Sequence, residues 1–155
     1  MIGGSFCEGG ELFEQLERHG NFNERDARQL FTQIIKCIKY MHSEKVCHRD
    51  LKPENFLMNS KKQLEMKIID FGLSYEWKND MRSELKAEKK NKLIGTSYYI
   101  APEVLALDYD ERCDIWSAGV ILYILVTAAP PFDGETDRLI MENVKKMQYT
   151  FNSTS

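Results

Sequence analysis

The sequence has no C-x-x-C pair, no strongly basic balance and no secretory leader. Its four cysteines, Cys7, Cys37, Cys47 and Cys113, are scattered, which argues against a zinc site or disulfide framework and indicates a reducing compartment. The net charge of -3 lacks the basic excess of nucleic-acid-binding domains. We therefore expect a cytoplasmic protein, with the nucleus as the alternative, and no nucleic acid among its partners.

No segment has the length and composition of a membrane span. Residues 115–132 carry no charge, but their strongly apolar part runs only from Ala118 to Val126. Pro130 and Pro131 then interrupt the segment. Because about 20 apolar residues are needed to cross a bilayer, this segment is predicted to be a buried core helix.

The apolar pattern predicts a mainly helical chain. Apolar residues recur at helical spacing through residues 24–44, and Asn23 is suited to cap the start of this helix. Residues 113–128 are apolar on all sides and predict a buried helix. A short helix after Gly10 and a more polar helix near the end complete the prediction, over 11–18 and 136–148.

One small β-hairpin is predicted between the helices. The apolar runs 56–58 and 66–69 flank the polar connection NSKKQ, which is typical of two short paired strands. Residues 75–94 are rich in Lys, Arg, Asp and Glu, so most of this stretch is predicted to be a solvated, mobile loop.

The stretch HRDLKPEN concentrates ionisable and amide groups at residues 48–55. Asp50 can accept a proton from a hydroxyl nucleophile, and Lys52 can bind a transferring phosphoryl group. Asn55 offers a neutral oxygen to a hard cation such as Mg²⁺, and Asp70 can bind the same cation. Each residue alone is weak evidence, but together they suit in-line phosphoryl transfer, where positioning and charge neutralisation dominate.

Four motifs, in this order, resemble the larger, C-terminal lobe of a eukaryotic protein kinase. HRDLKPEN resembles the catalytic loop, DFG at 70–72 the metal-binding motif and APE at 101–103 the end of the activation segment. DIWSAGV at 114–120 resembles the central helix. The resemblance covers essentially the whole chain, so residues 1–155 are expected to form a partial kinase domain, mainly α with a small hairpin.

The resemblance implies a serine/threonine kinase that transfers the γ-phosphate of MgATP to a protein. Asp50 would be the catalytic base, and Lys52 would contact the γ-phosphate. Asn55 and Asp70 would hold Mg²⁺. Lys at position 52 is the pattern of serine/threonine kinases rather than tyrosine kinases.

Further positions take supporting roles from the same resemblance. Glu11 would lie at the nucleotide ribose and the substrate channel, and Glu54 would lie on the same side of the cleft. Both carboxylates would favour a substrate with Arg or Lys near the phosphorylated Ser or Thr. Thr96 would bond toward Asp50, and Asp114 would hold the backbone of the catalytic loop.

Three stretches look most like the calcium- and calmodulin-dependent kinases, especially the calcium-dependent protein kinases of plants and protists. They are FCEGGELF, GTSYYIAPEVL and CDIWSAGVILYILV. The sequence holds no EF-hand loop of the form D-x-[DN]-x-[DN]-G. A calcium-sensing domain is therefore expected only outside this chain.

The sequence departs from the kinase pattern at several points. It contains no G-x-G-x-x-G and no V-A-I-K, so the small N-terminal lobe is expected to be missing and the start truncated or mis-spliced. Glu103 would lack its usual Arg partner, and Lys92 occupies the position where many kinases carry a phosphorylated Thr. These departures favour inactivity of the isolated chain. They leave two alternatives, a catalytically inactive fragment that binds partners and a damaged gene model.

Overall fold

The computed structural model of the chain describes residues 10–59, 64–88, 90 and 92–149. Within them the helices are α1 (Leu12–His19), α2 (Glu24–Ser43), α3 (Met81–Ala87), α4 (Pro102–Leu105), α5 (Cys113–Thr127) and α6 (Asp137–Lys146). The strands are β1 (Val46–Cys47), β2 (Phe56–Met58), β3 (Met66–Ile68) and β4 (Tyr75–Glu76). The mainly helical prediction is confirmed; the start MIGGS and Cys7 lie outside the described residues.

Helix α2 forms where its apolar spacing predicts. The Asn23 side-chain oxygen accepts a hydrogen bond from the Asp26 backbone N–H at 2.9 Å, so the predicted N-cap is confirmed. The buried side chains of the helix recur at helical spacing: Ala27, Leu30, Ile34, Ile38 and Met41. This stripe packs against α5, and the two helices form the main core.

The predicted hairpin is strands β2 and β3, which pair antiparallel with Phe56 opposite Ile68. Beyond the last pair, the Ile69 N–H donates to the Asn55 carbonyl at 2.9 Å. The open end of the hairpin therefore brings Asn55 of HRDLKPEN and Asp70 of DFG to the same edge of the hairpin. Residues 60–63, most of the connection NSKKQ, lie outside the described part of the chain.

The mobile loop predicted for residues 75–94 is wrong for much of the part that the structure describes. Strand β4 pairs with β1, and α3 follows it, with the Asp80 carboxylate accepting the Ser83 N–H at 2.8 Å as N-cap. Met81 and Leu85, one helical turn apart, are buried together with Trp77. The charged residues between these apolar ones face solvent, which concealed the helical spacing in the sequence.

Ion pairs fix the charged side of α3 to the loop that precedes α5. Arg82 lies 3.5 Å from Asp108 and 3.4 Å from Asp110, and Lys86 lies 2.7 Å from Asp108. The backbone N–H groups of residues 79 and 78 also bond the Glu84 carboxylate and hold its pKa below the usual range. The segment between the DFG and APE motifs is thus held by packing at its inner face and by charge at its outer face.

Helix α5 has the predicted range but is not buried on all sides. Ile115 and Val126 are 47% and 39% exposed, whereas Ala118, Ile121 and Leu125 are buried in the core. Uniform apolar composition predicted complete burial, but only one face of the helix packs against α2. Of the helices in the described ranges, none has the length and hydropathy to span a bilayer.

Candidate active site

Asp114 holds the backbone of the catalytic loop. Its carboxylate is fully buried, and it accepts the backbone N–H groups of His48 and Arg49, each at 2.9 Å. His42 Nε2 of α2 lies 2.9 Å from the same carboxylate. Because these bonds fix the two residues immediately before Asp50, helices α5 and α2 together set the position of the Asp50 side chain.

Arg49 adopts a backbone conformation that few non-glycine residues tolerate. Its φ is 67°, in the left-handed region, so the bonds from Asp114 stabilise a strained turn. The Arg49 side chain donates to the Leu73 carbonyl at 2.7 Å and lies 5.4 Å from the centroid of the Tyr75 ring. The arginine thereby ties the catalytic loop to the segment that follows DFG.

Two polar side chains, those of Lys52 and Thr96, meet that of Asp50. The Asp50 carboxylate lies 3.0 Å from Lys52 Nζ and accepts the Thr96 hydroxyl at 2.9 Å. Lys52 Nζ also donates to Thr96 Oγ1 at 3.1 Å, which closes a three-membered network. A Cβ at Gly95 would lie only 3.1 Å from the Arg49 carbonyl, and φ there is 99°, so glycine permits this close approach.

Asn55 and Asp70 present oxygen atoms at the same edge of the hairpin. Asn55 is buried, and its amide nitrogen donates to the Asp50 carbonyl at 2.8 Å, which leaves the amide oxygen as the group available to a cation. Asp70 is exposed, and one of its oxygens accepts the Gly72 N–H at 3.2 Å. An amide oxygen and a carboxylate fit Mg²⁺, which prefers oxygen ligands and retains several waters.

His48 takes a packing position rather than a place in the Asp50 network. It is fully buried, its Nε2 donates to the Ile69 carbonyl at 3.1 Å, and its ring lies 5.0 Å from that of Phe71. His48 is thus a hydrogen-bonded structural histidine.

Glu54 points into a pocket of about 550 Å³ beside the catalytic loop. Its Oε2 atom is buried and has no hydrogen-bond partner among the described residues. Glu17 and Asp133 also line this pocket, so three carboxylates surround it. Burial, followed by the charge of Glu54, raises the pKa of the neighbouring Tyr99 hydroxyl. A half-buried carboxylate with one unpartnered oxygen, in an otherwise largely apolar pocket with two further acids, can bind a cationic side chain with an apolar stem.

Glu11 lies apart from the residues that line the Glu54 pocket. It precedes α1 as the N-cap residue, its backbone bridges to Leu57 of β2, and it is not among the residues that line the Glu54 pocket. Sequence analysis missed the two acids that do line it, because only the fold brings α1 and the turn before α6 together. Neither Glu17 nor Asp133 belongs to a sequence motif that would distinguish it from other polar residues.

The Arg49 guanidinium faces neutral acceptors rather than the Lys92 cation. Arg49 Nη1 lies 3.4 Å from the Tyr109 hydroxyl, which in turn donates to the Lys92 backbone carbonyl at 3.3 Å. Repulsion between the Arg49 and Lys92 cations is therefore avoided. The Lys92 backbone carbonyl accepts the Tyr109 hydroxyl, which lies beside the Arg49 guanidinium, and the Lys92 side chain is exposed to solvent.

The fold and the catalytic-loop geometry define a protein of the kinase class, and comparison with known proteins agrees. The model of the protein kinase domain family matches residues 2–154. The chain therefore belongs to the protein kinase domain family.

The similar curated proteins are calcium-dependent protein kinases, which confirms the resemblance noted in the sequence. Calcium-dependent protein kinase 4 of Plasmodium falciparum is 49% identical over 146 residues, 93% of this chain and 26% of the relative. Calcium-dependent protein kinase 3 of Plasmodium yoelii yoelii is 46% identical, over 94% of this chain and 26% of the relative. The chain thus spans about a quarter of the length of these relatives.

Proposed function

We propose that residues 1–155 form the C-terminal catalytic lobe of a serine/threonine protein kinase that transfers the γ-phosphate of MgATP to protein substrates. The observation that carries this proposal is the network of Asp50, Lys52 and Thr96, which places a carboxylate, an ammonium group and a hydroxyl within hydrogen-bond reach of one another. The scattered cysteines support a reducing compartment, and we propose the cytoplasm.

Asp50 is the proposed base for the hydroxyl of the substrate. Thr96 and Lys52 fix the two carboxylate oxygens, so the group is oriented before a substrate arrives. As phosphoryl transfer proceeds, Lys52 stabilises negative charge on the transferring group, and Asp50 takes the hydroxyl proton. Asn55 and Asp70 would hold Mg²⁺, which supplies neutralisation of the phosphate charge when bound.

Substrate selection is proposed to lie in the Glu54 pocket. Glu54 with Glu17 and Asp133 provides a strongly negative environment in which an arginine of the substrate can bond carboxylates in a bidentate manner. Because the Glu54 Oε2 atom has no hydrogen-bond partner among the described residues, this pocket is the proposed site for a basic substrate residue that precedes the phosphorylated Ser or Thr. For Glu11 we retain a contact with the nucleotide ribose.

A peptide array tests both the activity and the pocket. The enzyme for this assay is a chimaera in which the chain replaces the matching 146-residue stretch of calcium-dependent protein kinase 4. We expect phosphorylation of Ser/Thr peptides with a preference for upstream Arg. Glu54→Gln should weaken that preference about tenfold, because a charge-assisted hydrogen bond contributes about 1.5–3 kcal/mol.

Glu65→Gln, an exposed position on the hairpin, is the matched control and should leave the preference unchanged. A chimaera without phosphotransfer would contradict the kinase proposal. Phosphotransfer without a basic preference, or with the same preference in Glu54→Gln, would contradict the role of the pocket alone.

Phosphorylation between DFG and APE is not expected to switch this kinase on. Arg49 already bonds backbone carbonyls and the Tyr109 hydroxyl, and α3 is held by its ion pairs to Asp108 and Asp110. Phosphatase treatment of the chimaera should therefore change its activity less than about twofold, since the contacts that a phosphate would supply are present. A large loss that Ser83→Ala reproduces would refute this prediction.

The alternative function is a catalytically inactive module that binds partners. It is favoured by exposed apolar side chains beside a groove of about 530 Å³, where Tyr40 and Phe71 are 67% and 46% exposed. A chimaera that binds MgATP but transfers no phosphate would favour this alternative.

The names of the relatives indicate calcium dependence. Because the sequence has no EF-hand loop, we propose that any calcium-sensing domain lies outside this chain.

A further inference from the structure

Three side chains of types that bind transition metals meet where α2, β1 and α5 come together, and a fourth lies beside one of them. We name His42, Cys47, Cys113 and Asp114 the thiol cluster. His42 Nε2, Cys47 Sγ and an Asp114 oxygen all lie within 4.8 Å of one another. The Cys113 Sγ atom lies 3.7 Å from Cys47 Sγ.

The spacing of the two sulfur atoms suits a tetrahedral cation. With a Zn–S bond of about 2.3 Å, the edge between two thiolate ligands of a tetrahedral site is about 3.8 Å. The observed separation of 3.7 Å between the two sulfur atoms therefore needs almost no change, whereas Cys113 Sγ must move closer to the His42 and Asp114 ligand atoms on binding, because it lies outside the group within 4.8 Å. Cys47, Cys113 and Asp114 are buried, whereas the His42 side chain is 18% exposed and provides the route of entry for an ion.

We propose that the thiol cluster binds one thiophilic divalent cation of the Zn²⁺ type. Two sulfur atoms, an imidazole nitrogen and a carboxylate oxygen are a donor set that zinc accepts and Mg²⁺ does not favour. The cysteines have no C-x-x-C spacing in sequence, and only the pairing of β1 with β4 and the start of α5 bring them together. This cation site is chemically distinct from the oxygen site at Asn55 and Asp70.

Binding would exchange protons for the cation. Each of the two thiols loses its proton to solvent, and His42 binds through Nε2 with its proton on Nδ1. Metal bonds then replace the contact between His42 and Asp114, while Asp114 can still accept the N–H groups of the catalytic loop. Without a cation, burial raises the pKa of the Cys47 thiol.

Cobalt(II) is the probe for the first test, because bonds between thiolates and Co²⁺ give charge-transfer absorption. The 155-residue chain carrying Cys7→Ala and Cys37→Ala keeps only the two thiols of the cluster. We expect one Co²⁺ per chain with thiolate charge-transfer bands, displaced by Zn²⁺ and unaffected by excess Mg²⁺. Adding Cys47→Ala should weaken binding at least about 100-fold, since even loss of a supporting residue costs up to that much.

Alkylation of the unmodified chain is the second test and does not depend on a variant that must fold. Equimolar Zn²⁺ should slow alkylation of Cys47 and Cys113 at least tenfold under mild denaturant and leave the rate at Cys37, which lies outside the cluster, unchanged. Circular dichroism reports whether Cys47→Ala remains folded. Absence of charge-transfer bands, their persistence in a folded Cys47→Ala chain, or equal protection of Cys37 would overturn the proposal.

Discussion

Asp50→Asn in the chimaera is expected to lower the rate of phosphotransfer by about 10³-fold or more and to leave the fold unchanged. Asn keeps the shape of the side chain and one acceptor oxygen, so it can still bond either the Thr96 hydroxyl or the Lys52 ammonium, which in the parent bond different oxygens. The amide, however, can neither take the proton of the substrate hydroxyl nor balance the Lys52 charge. The measurement is single-turnover phosphorylation of the peptide preferred by the unmodified chimaera.

Asp26→Asn provides the matched control, because it makes the same change near the start of α2, away from the catalytic loop. It should retain activity within about twofold, because Asn keeps an oxygen that can accept the Asn23 side-chain amide, which lies 2.8 Å from the Asp26 carboxylate in the parent. If Asp50→Asn kept activity within tenfold of the parent while circular dichroism showed the same fold, Asp50 would not be the base. A loss shared by both variants would indicate damage to the fold rather than to catalysis.

The helical frame could be predicted because its signals are local. The stripe of α2, from Ala27 to Met41, repeats over about four turns, and Asn23 caps the helix through a bond to a residue three positions away. The hairpin β2–β3 could be predicted equally well from the sequence, since two apolar runs flank a polar connection. In both cases the residues that determine the element lie next to each other in sequence.

Elements that depend on distant contacts could not be predicted in the same way. Strands β1 and β4 have two residues each, too few to show a period, and they pair across the whole catalytic loop and hairpin. In α3, buried Met81 and Leu85 are separated by polar residues, among them Arg82, whose partners Asp108 and Asp110 lie on another loop. Composition alone therefore favoured a mobile segment.

The candidate site likewise has one part that a local motif predicts and another that depends on distant contacts. The motif HRDLKPEN identified Asp50, Lys52 and Asn55, which the fold joins through short bonds within one loop. The composition of the Glu54 pocket required the fold, because it combines α1 with the turn before α6. The pairing of Cys47 with Cys113 is of the same kind, and scattered cysteines in a sequence therefore do not establish that thiols are apart in space.

Asp114→Asn is expected to weaken both stability and catalysis, although residue 114 is outside the Asp50 network. The carboxylate is fully buried and accepts the backbone N–H groups of His48 and Arg49 through its two oxygens. Asn retains one acceptor and turns an NH₂ group toward a backbone donor or toward His42. The variant loses a charge-assisted hydrogen bond and leaves a buried N–H donor without an acceptor. Together these two losses should lower the free energy of unfolding by about 3 kcal/mol.

The effect on catalysis follows from the left-handed backbone of Arg49, which the Asp114 bonds hold immediately before Asp50. Misplacement of a reacting group by about 1 Å costs about 100-fold in rate, and we expect a loss of that size in phosphotransfer by the chimaera at a temperature where the variant is folded. Glu111→Gln removes a charge three residues earlier and should change neither the midpoint of urea unfolding nor the rate. An Asp114→Asn variant with the stability and rate of the parent would show that the catalytic loop holds its conformation without this carboxylate.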